Sequence, residues 1–174
     1  EYGLEAAASV ASFYLERGYR LGCTVYNGQR QLVYPDTGAK QFMKVSQILT
    51  HLSPSNEREG LRAAVERCRG FILAGRPLVV VVTRATEDTE GLVAGIRRVR
   101  SFTGRRRRQL PVVVVTPAIY ALLPRAPDWG DDAAALLKRL DRPAIARVRS
   151  TGSSLVEWDV RRHSFAAAYM RGAR

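Results

Sequence analysis

Two uninterrupted valine runs constrain the fold of this chain more than any other feature. Residues 77–83 read Pro-Leu-Val-Val-Val-Val-Thr, and residues 110–116 read Leu-Pro-Val-Val-Val-Val-Thr. A strand that is apolar on both faces is typical of a central parallel strand, because helices cover such a sheet on both sides. Pro111 would stand at the start of its strand, where a missing N–H is tolerated. The sequence therefore predicts two fully buried strands of a mostly parallel sheet.

Helical and strand-like patterns alternate along the rest of the chain. At its start, Leu4, Ala8, Ala11 and Leu15 recur at the helical period, and Gly18 is a natural left-handed stop for that helix. Further helices are predicted at 39–52, between Asn56 and Gly75, around 92–99, from 131 to 140 with Leu136, Leu137 and Leu140 buried, and at 165–171. Further strands are predicted at 20–26 and 31–34, and at 144–148 and 155–160, where the last two are separate strands or one bulged strand pair.

This alternation indicates a doubly wound α/β domain with helices on both faces of the sheet. Asn27-Gly28 predicts a tight hairpin turn, because both central residues of a type I′ turn need positive φ. The hairpin adds one antiparallel strand, most economically at an edge. Such a domain normally places a strand before its first helix, so we expect a fragment from which that first strand is missing. Residues 1–174 are interpreted as a single domain, without internal repeats or a linker.

The charge of the chain comes almost entirely from arginine. The formal net charge is +12, and Lys40, Lys44 and Lys138 are the only lysines among 28 basic residues. Because arginine binds phosphate with two parallel hydrogen bonds, nucleic-acid binding is a legitimate hypothesis. A solvated loop, or a basic patch that meets an acidic protein or anionic lipid, is the alternative. The candidate basic patch consists of Arg97, Arg98, Arg100, Arg105, Arg106, Arg107 and Arg108.

Motifs that would indicate an enzyme are absent from the sequence. It contains no Gly-x-Gly-x-x-Gly, no phosphate-binding loop and no Gly-x-Ser-x-Gly. His51 and His163 are expected to have surface or capping roles, and no pair of carboxylates suits acid–base catalysis. Cys23 and Cys68 lie in apolar patterns outside any Cys-x-x-Cys pair, which predicts small buried residues. We therefore predict no catalytic residue, no cofactor and no metal in this chain.

Several segments have a residue pattern that is more specific than this alternation of helices and strands. The first helix and the turn after it are the most specific. These segments are Glu1-Tyr2-x-Leu4-x-x-Ala7-Ala8-Ser9-x-Ala11, Arg17-Gly18-Tyr19-Arg20-Leu21-Gly22, the valine runs with Thr83 and Thr116-Pro117, and Val156-Glu157-Trp158-Asp159.

In these segments and in its order of elements, the chain resembles a von Willebrand factor A domain, and more closely the A-like domain of the DUF58 proteins. The resemblance implies a non-enzymatic scaffold that contacts another protein. DUF58 proteins resemble membrane-anchored scaffolds that are encoded beside MoxR-type AAA+ ATPases, so such an ATPase is the expected partner. The transmembrane helices would lie upstream of Glu1, and this chain would be a cytoplasmic domain. The chain itself would contact the membrane only weakly, through its basic patch.

The resemblance also implies a metal-ion-dependent adhesion site, which would bind Mg²⁺ or Mn²⁺ through hard oxygen ligands. Its Asp-x-Ser-x-Ser motif would precede Glu1. Thr37 matches the second ligand position, although a helix cap or loop role is the alternative. The third ligand falls at Thr83-Arg84, where the cationic Arg84 cannot bind a cation. Asp88 lies nearby, but it also suits a helix start, so the site is expected to be degenerate and metal binding to need the full-length protein.

Two tryptophans complete the set of candidates. Trp129 lies in a proline-rich irregular stretch at 117–130 and is a candidate contact anchor, with loop packing as the alternative. Trp158 follows the pattern of a strand and is expected in the core. The sequence thus favours an interaction domain, with a basic nucleic-acid-binding domain as the alternative.

Overall fold

The computed structural model describes residues 2–25, 31–52, 60–102, 109–118, 130–159 and 163–172. Helices and strands alternate in the described part much as the sequence predicts. The helices are α1 (Tyr2–Leu15), α2 (Gly38–Thr50), α3 (Leu61–Arg67), α4 (Arg69–Gly75), α5 (Thr89–Ser101), α6 (Gly130–Arg149) and α7 (Phe165–Gly172). The strands are β1 (Leu21–Thr24), β2 (Leu32–Asp36), β3 (Val79–Val82), β4 (Val112–Pro117) and β5 (Ser154–Trp158).

The two valine runs form parallel strands, as predicted, but only β4 is buried along all four valines, whereas Val79, Val80 and Val82 of β3 are half-buried. The sheet has the order β3-β4-β5, with Val79 paired to Val112 and Val113 paired to Ser154. Side chains of β4 alternate between the two faces: Val114 packs with α3, α5 and α6, whereas Val115 packs with α1 and α7. Because both faces are covered by apolar helices, a continuous apolar strand is stable here.

The hairpin forms a sheet of its own, and this differs from the expected edge position. Strands β1 and β2 pair antiparallel, with Cys23 opposite Val33, and within the described residues no ladder joins them to β3, β4 or β5. Gln41 of α2 holds this hairpin from one side, because its buried Nε2 donates to the carbonyl of Leu21 (2.5 Å) and to that of Tyr34 (2.8 Å). The hairpin core contains Val33, Val45 and Leu49.

Helix α1 connects the two sheets. Ala6 and Val10 pack with the parallel sheet and α7, whereas Ala11 packs with the hairpin and α2. Phe13 and Tyr14 extend the first contact through edge-to-face rings that reach Tyr169 of α7. One amphipathic helix thus buries two stripes, against two different sheets.

Three predictions about elements are wrong. Residues 144–148 belong to α6 rather than to a strand, although Pro143 lies inside that helix. Leu136, Leu137 and Leu140 of α6 are exposed rather than buried. The helix predicted up to Gly75 is divided at Cys68 into α3 and α4. For α6, tertiary packing, which a local pattern does not contain, decides the outcome: Ile145 and Val148 anchor only the second half of this helix in the core.

Other predictions are confirmed at the level of single residues. Gly18 has φ of +76°, which is the left-handed conformation expected after a helix. Trp158 is 2% exposed and packs edge-to-face on Phe165. His51 is the C-cap of α2. The turn at Asn27-Gly28 lies outside the described residues, as do the first residues of the helix predicted from Asn56.

No helix within the described ranges is long and apolar enough to cross a membrane.

Candidate functional site

A small crevice lies at the carboxyl edge of the parallel sheet. It is formed by the segment after β3, the end of β4, residue Glu157 of β5 and the middle of α6. The lining residues are Arg84, Ala85, Thr86, Thr116, Pro117, Ala118, Asp141, Ile145 and Glu157. In open α/β sheets this edge is where ligands usually bind, so the crevice is the natural place to look for a site.

Two hydrogen bonds donated by backbone N–H groups fix the floor of this crevice. The buried hydroxyl of Thr116 accepts a hydrogen bond from the N–H of Ala85 (3.2 Å), which joins the end of β4 to the segment after β3. The N–H of Ala118 donates to the carbonyl of Trp158 (2.8 Å), which continues the β4–β5 ladder beyond its last strand pair. The floor is therefore a rigid extension of the sheet.

The charges of the crevice are mixed. The exposed Arg84 lines it, and so do the carboxylates of Asp141 and Glu157. Glu157 is already paired, since its Oε1 accepts a hydrogen bond from Arg149 (2.9 Å). The crevice encloses about 10 Å³, which is space for about one water molecule. A substrate-sized ligand therefore does not fit in it.

The adhesion-site residues predicted from the resemblance do not converge on this crevice. Of Thr37, Arg84 and Asp88, only Arg84 lines it. Thr37 is exposed at the N-cap position of α2, without a side-chain capping bond. Because the residue at the predicted third ligand position, Arg84, carries a guanidinium and not a carboxylate, the three predicted positions do not fit Mg²⁺ or Mn²⁺. No group of three or more His, Cys, Asp or Glu side chains in the described part is placed to hold a metal ion.

Asp88 has a structural role at the start of α5. It is the N-cap residue, and its Oδ1 accepts a hydrogen bond from the N–H of Gly91 at 2.9 Å. This bond satisfies one of the free N–H groups at the helix start. The prediction that Asp88 suits a helix start is thus confirmed.

The arginines of α5 do not share one face. Arg98 donates to the carboxylate of Glu66 on α3 and lies over the ring of Phe102, with 4.7 Å between the guanidinium carbon and the ring centroid. Arg100 donates instead to Oε1 of Gln109 (2.8 Å from Nε). Residues two apart on a helix point in nearly opposite directions, which explains the separate partners.

The remaining candidates of the basic patch are only partly described. Arg97 is exposed on α5. Arg105, Arg106, Arg107, Arg108 and Trp129 lie outside the described residues.

The pKa of Glu66 is lowered, above all by its hydrogen bond from Arg98, so the contact between Arg98 and Glu66 is an ion pair at neutral pH.

A more prominent surface, which the sequence interpretation placed in the core, lies on the first half of α6. Leu136, Leu137 and Leu140 are 58%, 36% and 63% exposed, and we call these three residues the leucine face. They recur at i, i+1 and i+4, so they lie on one side of the helix. Asp141 is the residue of α6 that follows Leu140, and it lines the crevice. The leucine face therefore lies beside the carboxyl edge of the sheet.

The two cysteines are free, half-buried thiols. Burial raises the pKa of Cys23 to about 11, with a smaller contribution from Cys68, and burial also raises the pKa of Cys68. A thiol whose pKa is raised in this way stays protonated and is a poor nucleophile at neutral pH.

Sequence patterns indicated some of these site residues and missed others. Arg84, Thr116 and Glu157 stand at or just after strand ends, and this position alone would have placed them at one edge of the sheet. Asp141 has no such signal, because its position depends on the unexpected length of α6.

Comparisons with family models, curated proteins and solved structures find no match to this chain.

Proposed function

We propose that this chain is a non-enzymatic protein-interaction domain that binds its partner through the leucine face of α6 and the adjoining carboxyl edge of the sheet. The observation that carries the proposal is the exposure of Leu136, Leu137 and Leu140 on an ordered helix. Apolar side chains clustered on a surface and bordered by charged groups are typical of protein-binding sites.

At the carboxyl edge of the sheet, the size of the crevice supports a binding role over catalysis. Small-molecule sites usually enclose about 300–1,000 Å³, whereas the crevice at the carboxyl edge encloses about 10 Å³. Arg84, Asp141 and Glu157 instead provide charges of both signs in this crevice. Such charges contribute to partner selection and orientation.

The finer part of the proposal follows from the resemblance to DUF58 proteins. We assign the chain an A-like domain, with a MoxR-type AAA+ ATPase as its partner and a membrane anchor elsewhere in the protein. The parallel sheet covered by helices on both faces supports this assignment, as does the position of the candidate face at the carboxyl edge. Because Arg84 takes the position of a metal ligand, the proposed contact does not use a metal ion.

Binding of a purified MoxR-type ATPase, encoded in the same genome, tests this proposal. The Leu136→Lys, Leu140→Lys double variant should weaken binding at least about tenfold, since each exposed leucine would be replaced by a charge at the contact. Met43→Lys on α2 is the matched control, because Met43 is 68% exposed and lies on the hairpin side. Equal binding by the chain and the double variant would reject the leucine face.

A binding titration with duplex DNA tests the alternative function, nucleic-acid binding. That function would appear as affinity for duplex DNA that falls steeply with salt and is reduced by Arg97→Glu, but not by the leucine substitutions. The exposed Arg97 and the net charge of +12 are the reasons for measuring DNA binding as well.

A further inference from the structure

Arg100, in the last turn of α5, is held in place by a neutral side chain. Its Nε donates to Oε1 of Gln109 (2.8 Å), and its Nη2 donates to the same oxygen. Arg98, Arg147 and Arg149, by contrast, each pair with a glutamate on another element. Because the amide of Gln109 carries no charge, the positive charge of Arg100 is oriented without being neutralised.

Gly152 lies against the same guanidinium. It stands in the turn between α6 and β5 with φ of +75°, and a Cβ there would lie 3.0 Å from Nη1 and 3.1 Å from Nη2 of Arg100. A side chain at this position would therefore displace the guanidinium. Within the described residues, Nη1 of Arg100 has no hydrogen-bond partner.

Arg97 brings a second guanidinium to the same side of α5. Residues three apart on a helix are surface neighbours, with about 5–6 Å between their Cβ atoms. Arg97 is exposed, and its side chain has no ion pair or hydrogen bond with the described part of the chain. Two positive charges without a carboxylate partner thus lie side by side at the end of α5.

These residues lie at the amino edge of the parallel sheet, opposite to the crevice. Gln109 precedes β4, and Gly152 precedes β5. We call Arg97, Arg100, Gln109 and Gly152 the amino-edge site.

The chemistry of the amino-edge site suits a phosphate group. A guanidinium binds phosphate oxygens through parallel N–H donors. A phosphomonoester carries a charge of about −1.5 to −2 at neutral pH, which two arginines match, whereas a phosphodiester carries a single negative charge. Nucleic-acid binding commonly uses about 6–10 phosphate contacts, so a pair of arginines fits one phosphate group better than a nucleic-acid backbone.

We propose that the amino-edge site binds the phosphate group of a small phosphomonoester. Arg100 is the fixed contact, and Arg97 is the second contact. Gln109 and Gly152 are positioning residues that act through Arg100, because one orients its guanidinium and the other leaves the space that it occupies.

A titration of the whole chain with methyl phosphate, followed by NMR at constant ionic strength and pH 7.5, tests this proposal. The backbone amide signals of Arg100 and Gly152 should shift and saturate. Dimethyl phosphate is the matched ligand with one negative charge, and it should bind at least about tenfold more weakly, since it lacks the second charge. Equal binding of the two ligands, or shifts that do not saturate, would overturn the proposal.

Arginine substitutions separate a specific contact from the effect of net charge. Arg100→Gln should weaken methyl phosphate binding at least about tenfold, because a charge-assisted hydrogen bond is lost. Arg147→Gln is the matched control, since it removes the same charge from an arginine that is paired with Glu90. An equal loss for both variants would reject the amino-edge site.

Glycine substitutions test the positioning of Arg100. Gly152→Ala should weaken methyl phosphate binding about as much as Arg100→Gln, because the added Cβ displaces the guanidinium. Gly38→Ala is the matched control: Gly38 has φ of +79°, and no heavy atom lies within 4 Å of the Cβ it would add. If Gly152→Ala does not fold, Gln109→Ala tests the same positioning, and unchanged binding by that variant would contradict it.

A parallel titration with duplex DNA identifies the competing ligand. Shifts of Arg100 and Gly152 with DNA but not with methyl phosphate would overturn the proposal and assign these arginines to nucleic-acid binding. The leucine face lies beside the opposite edge of the sheet, so either proposal can fail without the other.

Discussion

At the scale of single residues, Asp88 illustrates how a candidate ligand becomes a structural residue. Its carboxylate caps α5 through the N–H of Gly91, and it does not line the crevice that contains Arg84. An Asn side chain can accept the same capping bond, but it lacks the negative charge that strengthens binding of a cation. Capping and metal binding therefore make opposite predictions for one conservative substitution.

We expect Asp88→Ala to lower the free energy of unfolding by about 1 kcal/mol and Asp88→Asn to lower it by only a few tenths. Urea denaturation measures both, and Glu87→Ala, at an exposed neighbouring residue, is the control. A loss for Asp88→Asn as large as for Asp88→Ala, together with a Mg²⁺-dependent melting temperature in the unchanged chain, would contradict the capping role.

Tyr169 couples stability to pH. Its hydroxyl lies 2.5 Å from that of Tyr14, and burial, followed by this hydrogen bond, raises the pKa of Tyr169 well above its usual value. Above the ordinary tyrosine pKa of about 10, the unfolded chain therefore loses this proton while the folded chain keeps it. The contribution is complete below that pH and is lost as the pH rises toward the folded pKa.

We predict that Tyr169→Phe makes the loss of stability above pH 10 shallower, by up to about 1.4 kcal/mol per pH unit. Denaturation at a series of alkaline pH values measures this slope. Tyr19→Phe is the control, because Tyr19 is exposed. Parallel slopes for the unchanged chain and Tyr169→Phe would contradict the assignment.

At the scale of elements, the close contact of α3 with α5 depends on Gly95. A Cβ at this position would lie 2.5 Å from Cγ of Leu61, which is buried in the core. Alanine normally favours a helix over glycine by about 1 kcal/mol. Here the clash should dominate, since the two helices would have to separate.

Gly95→Ala is therefore expected to lower the free energy of unfolding by about 1–3 kcal/mol. Gly70→Ala on α4 is the matched control, because no heavy atom lies within 4 Å of the Cβ it would add. Chemical denaturation should show a loss for the first variant and none for the second. A gain in stability for both would mean that α3 and α5 are further apart than described.

The elements that sequence patterns predicted well are those with local causes. The valine runs determine β3 and β4, since four consecutive β-branched residues favour a strand wherever they pack. Residues 144–148 were misinterpreted because a short apolar segment suits a strand or a helix. Ile145 and Val148 decide for the helix by packing together on the parallel sheet.

At the scale of the whole molecule, the hairpin and the parallel sheet could not be placed from the sequence. Pairing between strands that are distant in the chain depends on tertiary contacts, and the pattern of β1 is the same whether it pairs with β3 or not. The leucine face was missed for a related reason. A helical stripe predicts which side of α6 is apolar, but not that only its second half reaches the core.

The central claim is that the leucine face contacts a protein partner, and site-specific photo-crosslinking tests it most directly. A photoreactive phenylalanine analogue is placed at Leu140, at Met43 or at Arg97, and each chain is irradiated with the purified ATPase. We predict a crosslinked product from position 140 and none from position 43. Crosslinking from positions 43 or 97 without a product from 140 would contradict the proposed interaction surface.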